Sequence, residues 1–125
     1  MNVQPVRPKN LNLFTIHFPL PAIVSILHRI SGVILFFFIV FLIWGLDLSL
    51  TISGFDRLQG WFELFYVRLA IWFLFIPFCF HLVAGIRHLL MDIHIGTSLV
   101  MGRLMSALTL VISFLLIIFV GVWLW

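Results

Sequence analysis

Histidine and glycine recur on one face of a predicted helix in the stretch that ends at Asp92. Positions 81, 85, 88 and 92 advance by 4, 7 and 11 residues, so on an α-helix they share a face. They are His81, Gly85, His88 and Asp92. A glycine lets a planar ring approach the backbone, and a histidine offers an imidazole nitrogen to iron. This face therefore predicts a site for a flat, metal-containing ligand.

The composition of the chain indicates that water is not its main solvent. Of its 125 residues, 64% are hydrophobic and 9% are charged, and the mean hydropathy is +1.29. In a soluble domain about a quarter of the residues are charged. A net charge of +3 can indicate a nucleic-acid partner, but in a membrane chain positive residues more often mark which side of the membrane a loop faces. We therefore expect no nucleic-acid partner. The one cysteine, Cys79, is interpreted as a small buried hydrophobic residue.

Three apolar runs without charged residues are long enough to cross a bilayer. They contain 17, 18 and 22 residues, and as helices they measure roughly 26, 27 and 33 Å against a hydrocarbon core of ~30 Å. An isolated span must be helical, because lipid offers its backbone no hydrogen-bond partners. The sequence therefore predicts an all-α membrane protein with three transmembrane helices. Extended past the charge-free runs, these helices are placed near 23–48, 61–91 and 103–125.

The region before the first span is rich in proline. Four prolines, Pro5, Pro8, Pro19 and Pro21, argue against a long helix before about Ala22, because proline is poorly tolerated inside helices. We interpret residues 1–22 as an N-terminal arm on the membrane surface. Residues 1–125 are then a single membrane domain without an internal repeat.

Charged residues and tryptophans give the chain an orientation. With three spans, the N-terminal arm and the second connecting loop face the same side, which has a net charge of +4 against −1 on the other. The positive side is expected to be cytoplasmic. Four tryptophans fall at helix ends on the negative side, as in an interfacial aromatic belt: Trp44, Trp61, Trp123 and Trp125. Trp72, inside the second span, is the exception.

Six polar side chains near the start of the first span and the end of the second are expected at one membrane level. They are Ser25, His28, Arg29, Arg87, His88 and Asp92. Ser25 and Arg29 are four residues apart and share a helix face, and His28 lies close to it. Charged groups at membrane depth are costly and indicate function. The alternative for either arginine is that it snorkels to lipid phosphates.

His81 is expected to lie deeper than these six groups. It precedes Asp92 by 11 residues, or ~16 Å along a helix, which is about midway through the bilayer. From spacing alone, its imidazole either binds a metal or hydrogen-bonds a neighbouring helix. His88 is ~10 Å further along the axis, so the two histidines cannot bind one iron. For a haem, the side chains placed to hold its propionates are His28, Arg29, Arg87 and His88.

Two motifs carry a resemblance to a known family. One is Ser25-Ile-Leu-His28-Arg29-Ile-Ser31-Gly32, and the other is His81-x-x-x-Gly85-Ile-Arg87-His88-Leu-x-Met-Asp92. In this order, and with three spans at this length, they resemble the cytochrome b-type large membrane-anchor subunit of bacterial succinate dehydrogenase, complex II. The resemblance covers essentially the whole chain.

This resemblance implies a role in electron transport within the tricarboxylic acid cycle. Such a subunit is a non-flavin part of succinate:quinone oxidoreductase in the bacterial inner membrane, with its N-terminus cytoplasmic and its C-terminus periplasmic, and no catalysis is expected from this chain alone. By similarity, His81 is one axial ligand of the iron of haem b, and a second small three-helix anchor subunit supplies the other. Ser25 and Arg29 match the ubiquinone-binding residues. The implied partners also include a flavoprotein subunit and an iron–sulfur subunit in a multi-chain helical bundle.

Three alternatives remain open at this point. The first is an anchor of a quinol:fumarate reductase, which runs the same reaction in the other direction. The second is a small transporter or channel subunit with Arg29 and Asp92 lining a path, although the third apolar run, residues 104–125, contains no ionisable residue. The third alternative is a scaffold protein without a cofactor.

Overall fold

The structure is a computed structural model that describes residues 17–125. It contains four helices in chain order: α1 (Leu20–Ser49), α2 (Ile52–Phe62), α3 (Phe65–Asp92) and α4 (Leu99–Leu124). Helices α1, α3 and α4 are each long and apolar enough to cross a membrane. The expectation of an all-α membrane protein with three spans is thus confirmed. Most of the N-terminal arm, residues 1–16, lies outside the described part of the chain.

The first span begins earlier than expected, because its prolines are placed where a helix tolerates them. Pro19 is the N-cap of α1 and Pro21 falls within its first turn, where no backbone N–H is needed for an intrahelical bond. The end of the interfacial arm predicted for residues 1–22 is therefore already helical from Leu20 onward.

Helix α2 was not anticipated, and it shortens the second span at its start. The sequence predicted one helix over 61–91, but α2 ends at Phe62 and α3 begins at Phe65. The hydroxyl of Thr51 caps α2 by accepting the Gly54 N–H at 3.1 Å. A side chain at Gly54 would collide with the carbonyl oxygen of Leu48. The sequence signal for α2 was this cap followed by an amphipathic stretch.

Helix α3 packs against both α1 and α4, and the buried residues along these contacts are small. They are Val24, Ser31, Cys79, Ala84, Ser106, Thr109 and Ser113, with Arg87 as the one large exception in the described chain. Small side chains let membrane helices approach closely. The three hydroxyls of α4 each donate to the carbonyl four residues earlier, at 2.6–2.8 Å, so they are satisfied within their own helix.

Trp72 joins α3 to α4, which explains its unusual position inside a span. Its indole N–H donates to the carbonyl of Ile117 at 3.0 Å. Gly121 faces the same ring, and a Cβ atom there would lie 2.9 Å from the indole nitrogen.

At the same end of the bundle the rings of Trp44 and Trp61 stack 6.0 Å apart. We call this end, with Trp44, Trp61, Trp123 and Trp125, the aromatic end.

Candidate functional site

Three imidazole rings stack between α1 and α3. His28 of α1 lies between two histidines of α3, with ring centroids 4.1 Å from His81 and 4.7 Å from His88 and an angle of 18° between the planes of each pair. Sequence spacing placed His28 near the interface and His81 much deeper. The structure instead brings His28 against both, because its ring reaches across to α3. We call these three residues the histidine stack.

The hydrogen bonds of His81 determine which of its ring nitrogens is available. Its Nδ1 lies 3.0 Å from the Ser31 hydroxyl oxygen and 3.1 Å from the His28 carbonyl oxygen. Ser31 donates its own proton to that carbonyl at 2.8 Å. A carbonyl oxygen can only accept a hydrogen bond, so the contact with the His28 carbonyl assigns the proton to Nδ1. The lone pair of Nε2 is therefore left for another partner.

Two glycines allow the rings to lie against the facing helix. A Cβ atom at Gly32 of α1 would lie 2.9 Å from Cε1 of His81, and one at Gly85 of α3 would lie 3.4 Å from Nε2 of His28. Each helix thus contributes a histidine and the glycine that receives the histidine of the other helix. The sequence motifs contained Ser31 and Gly32 without assigning either a role; their spacing of three and four residues from His28 was the available signal.

His88 is oriented by its own helix and approaches Ser25. Its Nδ1 donates to the Ala84 carbonyl at 2.7 Å, one turn earlier. Its Nε2 lies 3.4 Å from the Ser25 hydroxyl oxygen, and Ser25 is half-buried. A proton on Nδ1 leaves Nε2 as an acceptor, so the serine hydroxyl is the donor in this weak contact.

The two arginines and Asp92 are not part of these contacts. Arg29 is exposed on α1 and Asp92 is exposed at the end of α3. Arg87 is 5% exposed, and it lines a different groove, of about 130 Å³, between α3 and α4 together with Met105 and Thr109. Of the six groups expected at one level, the structure therefore brings together Ser25, His28 and His88, and it adds His81 to them.

The donor set of the histidine stack fits a haem better than a bare metal ion. The described residues contain no group of three or more His, Cys, Asp or Glu side chains that could hold a metal ion, and a protein zinc site needs three or four ligands. A haem iron needs only axial ligands, and a ligating histidine donates its other N–H to a carbonyl or a similar acceptor. His81 satisfies this pattern. Nε2 of His28 has no hydrogen-bond partner in residues 17–125, but it is buried against Gly85, so His81 is the histidine of the stack that fits a haem best.

Comparison with known proteins agrees with these features. The family described as succinate dehydrogenase/fumarate reductase transmembrane subunit matches residues 4–120. The succinate dehydrogenase cytochrome b556 subunit of Coxiella burnetii is 39% identical over 126 aligned positions, which cover 95% of this chain and 97% of that protein. Proteins of the same name from Rickettsia prowazekii and Rickettsia typhi are each 36% identical over 74% of this chain and 73% of their own length. The chain therefore belongs to the family of succinate dehydrogenase/fumarate reductase transmembrane subunits, as a cytochrome b-type membrane anchor.

Proposed function

We propose that this chain is the haem b-binding anchor subunit of a succinate dehydrogenase and forms part of its ubiquinone site. The observation that carries the proposal is the hydrogen bonding of His81, whose Nδ1 is held by Ser31 and the His28 carbonyl while Nε2 keeps its lone pair. The relatives are named for a b-type cytochrome of succinate dehydrogenase, which supports haem b as the group and succinate oxidation as the direction. When bound, the haem iron accepts and donates single electrons.

In this proposal His81 would hold the haem iron through Nε2, and neighbouring polar residues would hold the propionates. His28 was assigned this role from sequence, but its Nε2 is buried against Gly85 of α3, which lends that role no support. Exposed Arg29 and half-buried His88 are the better-placed candidates because their positive or polar groups lie on the same two helices and are accessible. Arg87 was assigned the same role from sequence; its position beside α4 lends that role no support.

We further propose that Ser25 and Arg29 bind ubiquinone at the membrane face where the soluble subunits dock. They lie on α1 four residues apart, one half-buried and one exposed, so a ligand from outside this chain can reach both. A serine hydroxyl can hydrogen-bond a quinone carbonyl, and a guanidinium stabilises negative charge that develops on it. The partners in this proposal are a second three-helix anchor, an iron–sulfur subunit and a flavoprotein, in a bacterial inner membrane with the N-terminus cytoplasmic.

The haem assignment is tested by comparing His81→Ala with His94→Ala in the purified complex. His94 follows α3 and is exposed, so its removal is a matched loss of one imidazole. We expect His81→Ala to lose the haem or to show a shifted reduced-minus-oxidised spectrum, because the haem would lose the imidazole that holds it. His94→Ala should keep the wild-type spectrum. Normal haem content with an unchanged spectrum in His81→Ala would contradict the assignment.

A further inference from the structure

A groove at the aromatic end of the bundle combines apolar walls with one guanidinium. It has a volume of about 450 Å³ and lies between the start of α3, the end of α2 and the end of α4. Its lining residues are Phe62, Arg68, Ile71, Phe75, Trp123 and Leu124. Ligand pockets in proteins typically have volumes of about 300–1,000 Å³, so the groove can accept part of a molecule rather than a single ion.

Arg68 is held at this groove by one hydrogen bond. Its Nε donates to the carbonyl of Phe62 at 2.6 Å, which uses one of its five N–H groups. Within residues 17–125 this is the one hydrogen bond that the Arg68 guanidinium makes, so its terminal nitrogens are left for other acceptors. The bond therefore orients a positive, planar group whose remaining donors can meet two oxygens of one phosphate.

We propose that this groove binds one membrane glycerophospholipid, with its phosphodiester on Arg68 and one acyl chain along Ile71, Phe75 and Leu124. A free anion would gain nothing from the apolar walls, and a purely apolar molecule would gain nothing from the guanidinium. Trp123 is 73% exposed beside the groove, and indole rings at a membrane–water interface lie at headgroup level. The groove is thus at the depth where a phosphate and the first part of an acyl chain meet.

The other charges at this end indicate what kind of headgroup the site should accept. Three acidic residues, Asp47, Asp56 and Glu63, outnumber Arg57 and Arg68 there. This end as a whole therefore does not attract anionic lipids. Binding should depend on the local contact with the phosphate, so a zwitterionic lipid such as phosphatidylethanolamine is sufficient.

The site can be tested by counting lipids bound to the purified complex. The complex is delipidated in detergent, supplied with phosphatidylethanolamine and measured by native mass spectrometry, alongside Arg68→Gln and the matched control Arg57→Gln. Arg57 is exposed on α2 and does not line the groove. We expect Arg68→Gln to weaken binding of one phosphatidylethanolamine by about tenfold or more, since a hydrogen bond to a charged group contributes at least that much. Arg57→Gln should bind as wild type does.

Two further experiments distinguish phospholipid binding from a purely apolar contact and from a contact with a partner subunit. A diacylglycerol with the same acyl chains lacks the phosphate and should bind no better to wild type than to Arg68→Gln. Ile71→Trp keeps the arginine but fills the groove, and should also lose the lipid. Equal lipid retention in wild type and Arg68→Gln would overturn the proposal. So would an Arg68→Gln complex that loses a partner subunit while its lipid count is unchanged, because the groove would then be a protein contact.

Discussion

At the scale of single residues, the histidine stack depends on which side chains are absent as much as on those that are present. Gly32 leaves room for the His81 ring, and a methyl group there would lie 2.9 Å from Cε1. That distance is well inside an ordinary carbon–carbon contact of about 3.5–4.0 Å. The imidazole is also held by two oxygens of α1, so it cannot move aside without giving up these hydrogen bonds.

If His81 holds the haem as proposed, Gly32→Ala should displace the His81 ring and weaken haem binding. Forcing an extra methyl group into a packed contact typically costs about 1–3 kcal/mol. Gly45→Ala is the matched control on the same helix, because its Cβ atom would meet nothing within 4 Å. The haem-to-protein ratio of the purified complex, followed during heating, should fall at a lower temperature in Gly32→Ala only. Identical haem retention in the two variants would show that this close contact does not matter.

Ser25 and Arg29 provide a second prediction at the residue scale. If they bind ubiquinone, Ser25→Ala and Arg29→Leu should impair quinone reduction by the complex while succinate oxidation with a soluble dye acceptor survives. Loss of one contact that stabilises developing negative charge typically costs about 3 kcal/mol, a factor of ~10²–10³ in rate. An arginine that only snorkels to lipid would change the rate far less. Wild-type quinone kinetics in both variants would rule out the assignment.

At the scale of elements, the end of α3 shows how a helix terminates without glycine at the usual position. Ile95 N–H donates to the Leu90 carbonyl and His94 N–H to the Met91 carbonyl, both at 2.9 Å. This is the hydrogen-bond pattern of a Schellman motif, which places a residue in the left-handed region just after the helix. That residue is His94, with φ of 65°, and a side chain in this region is unfavourable by about 1–2 kcal/mol.

His94→Gly should consequently stabilise the end of α3 by about 1 kcal/mol, because glycine adopts this conformation without the Cβ penalty. His94→Ala keeps a Cβ atom and should give no such gain. Thermal unfolding of the complex in detergent, monitored by circular dichroism, should show a higher midpoint for His94→Gly than for His94→Ala. Equal midpoints would mean that the left-handed residue carries no measurable strain.

At the scale of the whole molecule, the chain has little interior of its own. Many of its large apolar residues are more than 40% exposed, including Phe36 and Phe37 of α1 and Phe114 of α4. In a membrane, such side chains face either lipid or the helices of another subunit, since lipid itself satisfies apolar surface. The described chain thus has the form expected of one part of a larger helical bundle.

The haem site should likewise be incomplete in the isolated subunit. His28 lies beside His81, but their rings are stacked face to face with centroids 4.1 Å apart, which leaves no space between them for a haem. His88 stacks on the other face of the His28 ring, so it is not placed to bind the same iron as His81 either. If the haem takes a second protein ligand, we therefore expect another chain to supply it, and the haem would then stabilise the assembled state by binding it preferentially.

Expressed without partner subunits, this chain should show little low-spin b-type haem and should be degraded readily. Co-expression with a second three-helix anchor should restore both the spectrum and the protein level. The measurement is an optical spectrum and an immunoblot of membranes from the two strains. A stable, stoichiometric, six-coordinate haem in the subunit alone would refute this expectation.

The three spans could be predicted from the sequence, because the length of an apolar run is a local property and lipid permits only a helix there. The spacing of His81, Gly85 and His88 could also be used to assign them to one face of α3, and that of Ser25 and Arg29 to assign them to one face of α1. Helix α2 was missed since it has too few apolar residues to be distinguished from a loop by hydropathy. The local signal for α2 was its N-cap at Thr51, which an analysis of hydropathy does not detect.

Only the tertiary structure decided which faces meet. Helical spacing shows that His81 and His88 share a face, but it does not say that His28 of α1 lies between them. Nor does it say that Arg87, one residue from His88, lines a groove beside α4. The rotation and register of packed helices are set by where small residues let backbones approach, as at Gly32 and Gly121. Those contacts join residues 49 or more positions apart, and no local pattern encodes them.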